Sequence, residues 1–194
     1  MGLPVKNGEK TYTYAQYLDW PEEERWELID GVAYDMGPAP NRRHQEAVMA
    51  IGTEIFQFLK GKPCRVYAAP FDVRLSERQD PKDDEIYTVV QPDISVFCRE
   101  DILDERGAKG APDLVMEVLS PNTSVIDQRE KLELYEHFGV KEYWIVDPQN
   151  HVVYVHVLVR GAYTKPAVYG PKDTIKCATL EGWVLDLGDI LGSS

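Results

Sequence analysis

Residues 111–121, APDLVMEVLSP, place one carboxylate in the middle of an apolar run. Flanked by Leu114, Val115, Met116, Val118 and Leu119, Glu117 is a charge inside a strand that should be buried. Glutamate is almost never fully buried without a partner, because burial strips the carboxylate of its hydration. The chain therefore has to build a sheet-containing core that also brings a partner to Glu117. Side chains two apart on a strand share a face. Asp113, Val115, Glu117 and Leu119 line one side, and Leu114, Met116, Val118 and Ser120 the other.

A second carboxylate is a candidate for the same point. Asp93 follows Pro92 directly before the apolar ISVF, so neighbouring strands would let Asp93 and Glu117 converge. Two converging carboxylates repel, and at neutral pH they need a proton or a cation between them. A hard divalent ion such as Mg²⁺ prefers oxygen ligands and keeps several waters. It would polarise a phosphoryl oxygen and generate hydroxide near neutral pH. The structural alternative is that Asp93 starts a strand or turn and Glu117 pairs with an arginine across the sheet.

The next helix bears on that choice. Asp127, Lys131 and Tyr135 are spaced i, i+4, i+8 and form one stripe, with Leu134 and Phe138 nearby. Turned toward the sheet, the stripe lets Lys131 reach the carboxylates and stabilise charge in a phosphoryl-transfer transition state. Turned toward solvent, Asp127 and Lys131 form a surface pair contributing about 0.3 kcal/mol. Spacing leaves both open.

Elsewhere the pattern predicts an α/β or α+β domain on a mixed sheet. TYAQYLDWPEEERW reads as a short helix from Thr13, interrupted near Pro21, and WELIDGVAYDM as a hairpin turning at Asp30-Gly31. Apolar residues at 48, 51, 55, 58 and 59 predict a helix ended by Gly61 and Pro63. CRVYAAPFDVRL is strand-rich, TVVQPDISVFC reads as one strand, and REDILDERGAKGA as a connection. SVIDQREKLELYEHFG is a helix stopped by Gly139, KEYWIVDP a buried strand, and HVVYVHVLVRGAYTKPAVYG a hairpin pair. LEGWVLDLGDIL adds a short element.

At 194 residues, 43% hydrophobic, the chain fits one domain over 1–194 with a core from about 12 to 190. No stretch approaches the ~18 apolar residues of a membrane span. The first residues lack the apolar core of a signal peptide. Cys64, Cys98 and Cys177 are odd in number and far apart, which supports neither a disulfide framework nor a zinc site and suggests a reducing cytoplasm. GxSxG and Gly-rich phosphate loops are absent from the sequence. The formal net charge of −12 is awkward for nucleic-acid binding. A local basic patch or a bound divalent cation would offset it.

QPDISVF, PDLVMEVLSP and DQREKLELYEHFGVKEYWIVDP together resemble the Uma-type family of restriction-endonuclease-like bacterial proteins, within the PD-(D/E)xK nuclease superfamily. The resemblance runs from YTYAQYLDWPEEERWELIDG through HQEAVMAIGTEI to LEGWVLDLGDIL. It implies a restriction-endonuclease-like α/β core, a mixed central sheet flanked by helices, with additional β-hairpins. It also implies a Mg²⁺- or Mn²⁺-dependent endonuclease acting on nucleic acid, DNA in particular, as a cytoplasmic homodimer. Asp93 and Glu117 would be metal ligands, with the Val118 carbonyl a third. Leu119 stands where the superfamily's motif has lysine, and the family's lysine on the following helix makes Lys131 the replacement. Glu27, in the ELIDG element, would add a carboxylate to the site or pair structurally. His44 would approach the pocket or cap its helix, and Gln128 and Tyr135 would line the site. Two other readings stand beside this one. Leu119 and the −12 charge suit a catalytically inactive nucleic-acid-binding or regulatory module of the same fold. An acidic surface suits a phosphoesterase acting on small phosphorylated molecules.

Overall fold

In the computed structural model, which describes residues 11–21, 24–36, 41–120 and 125–191 (the side chains of 125–128 and 189 excepted), the first hairpin turns as its dipeptide dictates. Asp30 and Gly31 both take positive φ, 50° and 78°, the two-residue turn whose twist matches the flanking strands. These strands, β1 (Trp26–Ile29) and β2 (Val32–Asp35), join a six-stranded sheet with β4 (Val73–Leu75), β5 (Thr88–Val90), β7 (Leu103–Asp104) and β8 (Gly107–Lys109). Its order is β2-β1-β5-β4-β8-β7, preceded in the chain by the short helix α1 (Tyr14–Tyr17).

A second, seven-stranded sheet carries the apolar run. It contains β3 (Arg65–Ala68), β6 (Ile94–Phe97), β9 (Leu114–Val118), β10 (Glu142–Asp147), β11 (Val152–Val159), β12 (Ala162–Tyr163) and β13 (Ala167–Tyr169). Its order is β12-β11-β10-β9-β6-β3, with β13 also on β11. Strands β9 and β10 are parallel and the other neighbours antiparallel, so the sheet is mixed. A parallel pair needs a crossover, and helix α3 (Val125–His137) supplies it. The hairpin of β14 (Thr174–Lys176) and β15 (Val184–Asp186) and the helix α4 (Gly188–Leu191) complete the described elements.

Two helices sandwich this sheet. Helix α2 (Arg42–Phe58) starts where the Asn41 side chain accepts the His44 N–H at 3.0 Å. Its stripe of Ala47, Val48, Ile51 and Ile55 packs with Leu114, Met116 and Val118. Helix α3 covers the opposite face, with Leu134 and Tyr135 in one core with Val115, Tyr143 and Ile145. Alternation along β9 thus places Glu117 on the α3 side.

Three expectations are corrected. TVVQPDISVFC is two strands in different sheets, β5 and β6, because Pro92 cannot donate to a ladder and the chain crosses between sheets there. REDILDERGAKGA contains the β7–β8 hairpin; its strands of two and three residues carry too few side chains for an alternating pattern. Cys64 and Cys98 form a disulfide. They are distant in sequence, but the β3–β6 register pairs Arg65 with Phe97, so the next positions outward are cross-strand neighbours. With that bond, the cysteine-based case for a reducing compartment falls.

Gly107 ties the hairpin to the rest of the small sheet. Its φ is 125°, and a Cβ there would lie 2.1 Å from the Asp72 carbonyl oxygen. That carbonyl accepts the Ala108 N–H at 2.9 Å, so it has little freedom to retreat. Gly107→Ala is expected to cost about 3 kcal/mol in urea denaturation. A variant as stable as wild type would refute the close approach.

Candidate functional site

Ile94 pairs with Met116 across β6 and β9, and one further step in that register sets Asp93 against Glu117. The ladder ends there. Instead of a strand carbonyl, the Val118 N–H finds the Asp93 side chain, with Oδ2 accepting at 2.8 Å. The same oxygen lies 3.1 Å from His44 Nε2 on α2. Asp93 is therefore held from both its own sheet and the helix beneath it.

Glu117 is held from the opposite face. Its Oε1 accepts from Lys131 Nζ at 2.7 Å and from Tyr135 Oη at 2.9 Å. Lys131 and Tyr135 lie one turn apart on α3, so the i, i+4 stripe faces the sheet. Lys131 Nζ also donates to Glu27 Oε1 at 3.0 Å, and that oxygen accepts the Gln91 N–H at 2.8 Å. Glu27 comes from β1, in the other sheet. Gln91-Pro92-Asp93 bridges the two sheets, serving Glu27 with its first residue and Glu117's strand with its last.

Burial orders the three carboxylates. Glu27 is 0% exposed, whereas the side chains of Glu117 and Asp93 retain 13% and 19% of their exposure. Glu27 lies behind the lysine, and the other two are open to a ligand. Burial pushes the Glu117 carboxyl up to about 7; Lys131 opposes the shift, while Asp93 and Glu27 add to it. For Lys131, burial disfavours charge, but Glu117 and Glu27 outweigh it and hold the ammonium above the ordinary lysine range. Burial, reinforced by Glu117, raises the Tyr135 phenol well above its usual value, so it stays protonated.

The structure brings together Asp93, Glu117, Lys131, Tyr135, His44 and Glu27, with Val118 adjoining through its N–H. Leu119 packs against the apolar cluster on the α3 face. The side chains of Asp127 and Gln128 lie outside the described residues. His44 is buried, and Asn41 rather than His44 is the cap. Sequence reasoning missed Gln91, whose Nε2 donates to Asp72 Oδ1 at 2.9 Å and to Tyr17 Oη at 3.1 Å. Its adjacency to Pro92-Asp93 was the available signal.

Among the described residues, no group of three or more histidine, cysteine or acidic side chains is arranged to hold a metal. The donors offered are two carboxylates. Described groups bond only Oε1 of Glu117 and Oδ2 of Asp93, leaving the second oxygen of each for another ligand. This oxygen-only set fits a hard divalent ion, which is commonly held by one or two carboxylates and water.

A mixed sheet between two helices, with paired carboxylates at adjacent strand positions and a lysine over them, defines a restriction-endonuclease-like fold. The chain belongs to the Uma2 family, described as "Putative restriction endonuclease", which matches residues 14–188. The crystal structure of a "putative nuclease belonging to DUF820" from Anabaena variabilis superposes with a TM-score of 0.74 at 22% identity. The match covers 92% of this chain and 97% of that one. The uncharacterized Synechocystis protein slr1290 is 32% identical over 129 residues, 63% of this chain and 60% of that protein's length. Family membership makes nuclease chemistry the class of activity to test.

Proposed function

We propose that the chain is a divalent-metal-dependent endonuclease that hydrolyses phosphodiester bonds of nucleic acid, with DNA as the substrate. The observation that carries this reading is Lys131 on Glu117 at 2.7 Å, beside Asp93, from a helix rather than from position 119. Asp93 and Glu117 would hold Mg²⁺ or Mn²⁺, with the Val118 carbonyl and water completing the shell. When bound, such an ion supplies Lewis-acid charge and lowers the pKa of attacking water.

The chain's own residues position and neutralise. Lys131, kept protonated by its two carboxylates, stabilises negative charge on the phosphoryl oxygens. Glu27 orients that ammonium, Tyr135 fixes the Glu117 carboxylate, and His44 fixes Asp93. The inactive-module alternative rested on Leu119 and on the −12 charge; a lysine delivered from α3 removes the first of these grounds. A two-fold dimer is the assembly this reading expects. A cytoplasmic location is part of this reading because the nucleic acid to be cut lies there; the Cys64–Cys98 disulfide lends it no support. No helix among the described residues is long and apolar enough to cross a membrane.

DNA cleavage with and without Mg²⁺ tests the reading. Glu117→Ala and Asp93→Ala should each reduce metal-dependent cleavage about 10³-fold, equivalent to about 4 kcal/mol of transition-state stabilisation. Robust cleavage surviving both substitutions would exclude this mechanism.

A further inference from the structure

On a chain of net charge −12, residues 55–71 contain no aspartate or glutamate and carry Lys60, Lys62 and Arg65. The fold gathers these three at the end of α2 and the start of β3, around a cleft of about 660 Å³ also lined by Phe56 and Tyr67. Elsewhere Arg42, Arg78, Arg99, Arg106 and Arg129 each close on a carboxylate. Among the described residues, Lys60, Lys62 and Arg65 make no ion pair. Arg65 Nη1 instead donates to the carbonyls of Lys62, Pro63 and Cys64, which fixes the turn between helix and strand.

The cations come interleaved with aromatic rings. Lys62 Nζ sits 3.0 Å from the Phe58 ring centre, and Lys60 Nζ 5.7 Å from that of Phe56. Phe56 itself is 58% exposed. Grooves that combine positive charge with exposed aromatic faces suit unpaired strands, whose phosphates meet the charges and whose bases stack. A paired duplex hides its base faces.

The cleft also lies on the route to the carboxylates. Strand β3 is the sheet edge, its Arg65 opposite Phe97 and its Ala68 opposite Ile94, and Ala69 N–H donates to the Asp93 carbonyl at 3.1 Å. Four residues at 3.4 Å separate the level of Arg65 from that of Asp93, about 14 Å. That distance is at most about four nucleotides, since 3.4 Å is the spacing in a stacked duplex and an unpaired strand extends further.

We propose that the cleft formed by Phe56, Lys60, Lys62, Arg65 and Tyr67 docks a single-stranded segment of the nucleic-acid substrate and leads it along β3 to Asp93. This rests on the nuclease reading above, but its test is binding without metal.

Fluorescence anisotropy with a labelled oligothymidylate of about 16 nucleotides, in EDTA, measures it. Lys60→Gln/Lys62→Gln should weaken binding at least about tenfold and flatten the log–log salt dependence by about 1.4. Phe56→Ala should weaken it roughly tenfold while leaving that slope unchanged. Arg160→Gln/Lys165→Gln removes two exposed charges at the opposite sheet edge and should change affinity little. Glu117→Ala should keep binding while losing cleavage, which separates this proposal from the catalytic one. Circular dichroism checks that each variant is folded. Equal losses from both charge pairs, no loss from the Lys60/Lys62 pair, equal affinity for a blunt duplex, or no binding by wild type would each overturn the proposal.

Discussion

Lys131→Met is expected to destabilise the metal-free protein by about 3–5 kcal/mol near neutral pH, the usual cost of removing one partner from a buried ion pair. Methionine keeps the length of the stem, so the loss is of charge and not of packing. The substitution leaves Glu27, fully buried, and Glu117, nearly so, without their shared cation. Glu117 already has a carboxyl raised to about 7 by burial, with Lys131 pulling it down. Without the lysine it rises further.

The pH dependence then has a definite sign. A carboxyl raised in the folded state binds a proton that the unfolded chain releases above its ordinary value, near 4.5. Its stabilising contribution is present below that value and is lost as pH climbs through the folded pKa. The deficit of Lys131→Met relative to wild type should therefore be small at about pH 5 and large at about pH 8. Urea denaturation in EDTA at the two pH values measures it. Adding Mn²⁺ should restore more stability to the variant than to wild type, because the ion replaces the missing positive charge. A small, pH-independent deficit would show that Lys131 is not the counterion of these carboxylates.

Asp93→Asn is expected to weaken metal binding severely while sparing the fold. Asp93 Oδ2 accepts from Val118 N–H and faces His44 Nε2, and an asparagine oxygen can accept in the same place. What is lost is the charge. Metal affinity should drop by at least about 100-fold, more than the usual effect of an outer-shell partner. Stability should change by about 1 kcal/mol or less. Asp93→Ala adds a second fault, an unpaired Val118 N–H, costing about 1–3 kcal/mol more. Calorimetric Mn²⁺ titration beside thermal melts distinguishes the two variants. Full metal affinity in Asp93→Asn would remove Asp93 from the ligand set.

Much of this architecture was legible because local rules and global fold agree. Asp30-Gly31 turns as its backbone preferences require, the apolar stripe of α2 has helical spacing, and Gly139 follows α3 at φ 75°. Failures fell where the deciding contact is distant in sequence. The Cys64–Cys98 bond depends on the β3–β6 register, and short strands such as β7 carry too few residues to show a period. At Gln91-Pro92-Asp93 an apolar stretch passes between two sheets, and apolarity alone does not say which sheet a residue joins.

The sequence alone determined that Glu117 sits in a buried strand and must have a partner, since transferring a carboxylate from water demands one. It also offered three partners: Asp93 through an ion, an arginine across the sheet, or a lysine on the next helix. Only the tertiary structure decided that Lys131 is the direct partner, shared with Glu27 from another sheet, while Asp93 stands across the strand with an oxygen to spare. Helical spacing defines a stripe but not its heading. The heading comes from packing: Leu134 and Tyr135 bury against Val115, Tyr143 and Ile145, and that rotation carries Lys131 onto Glu117.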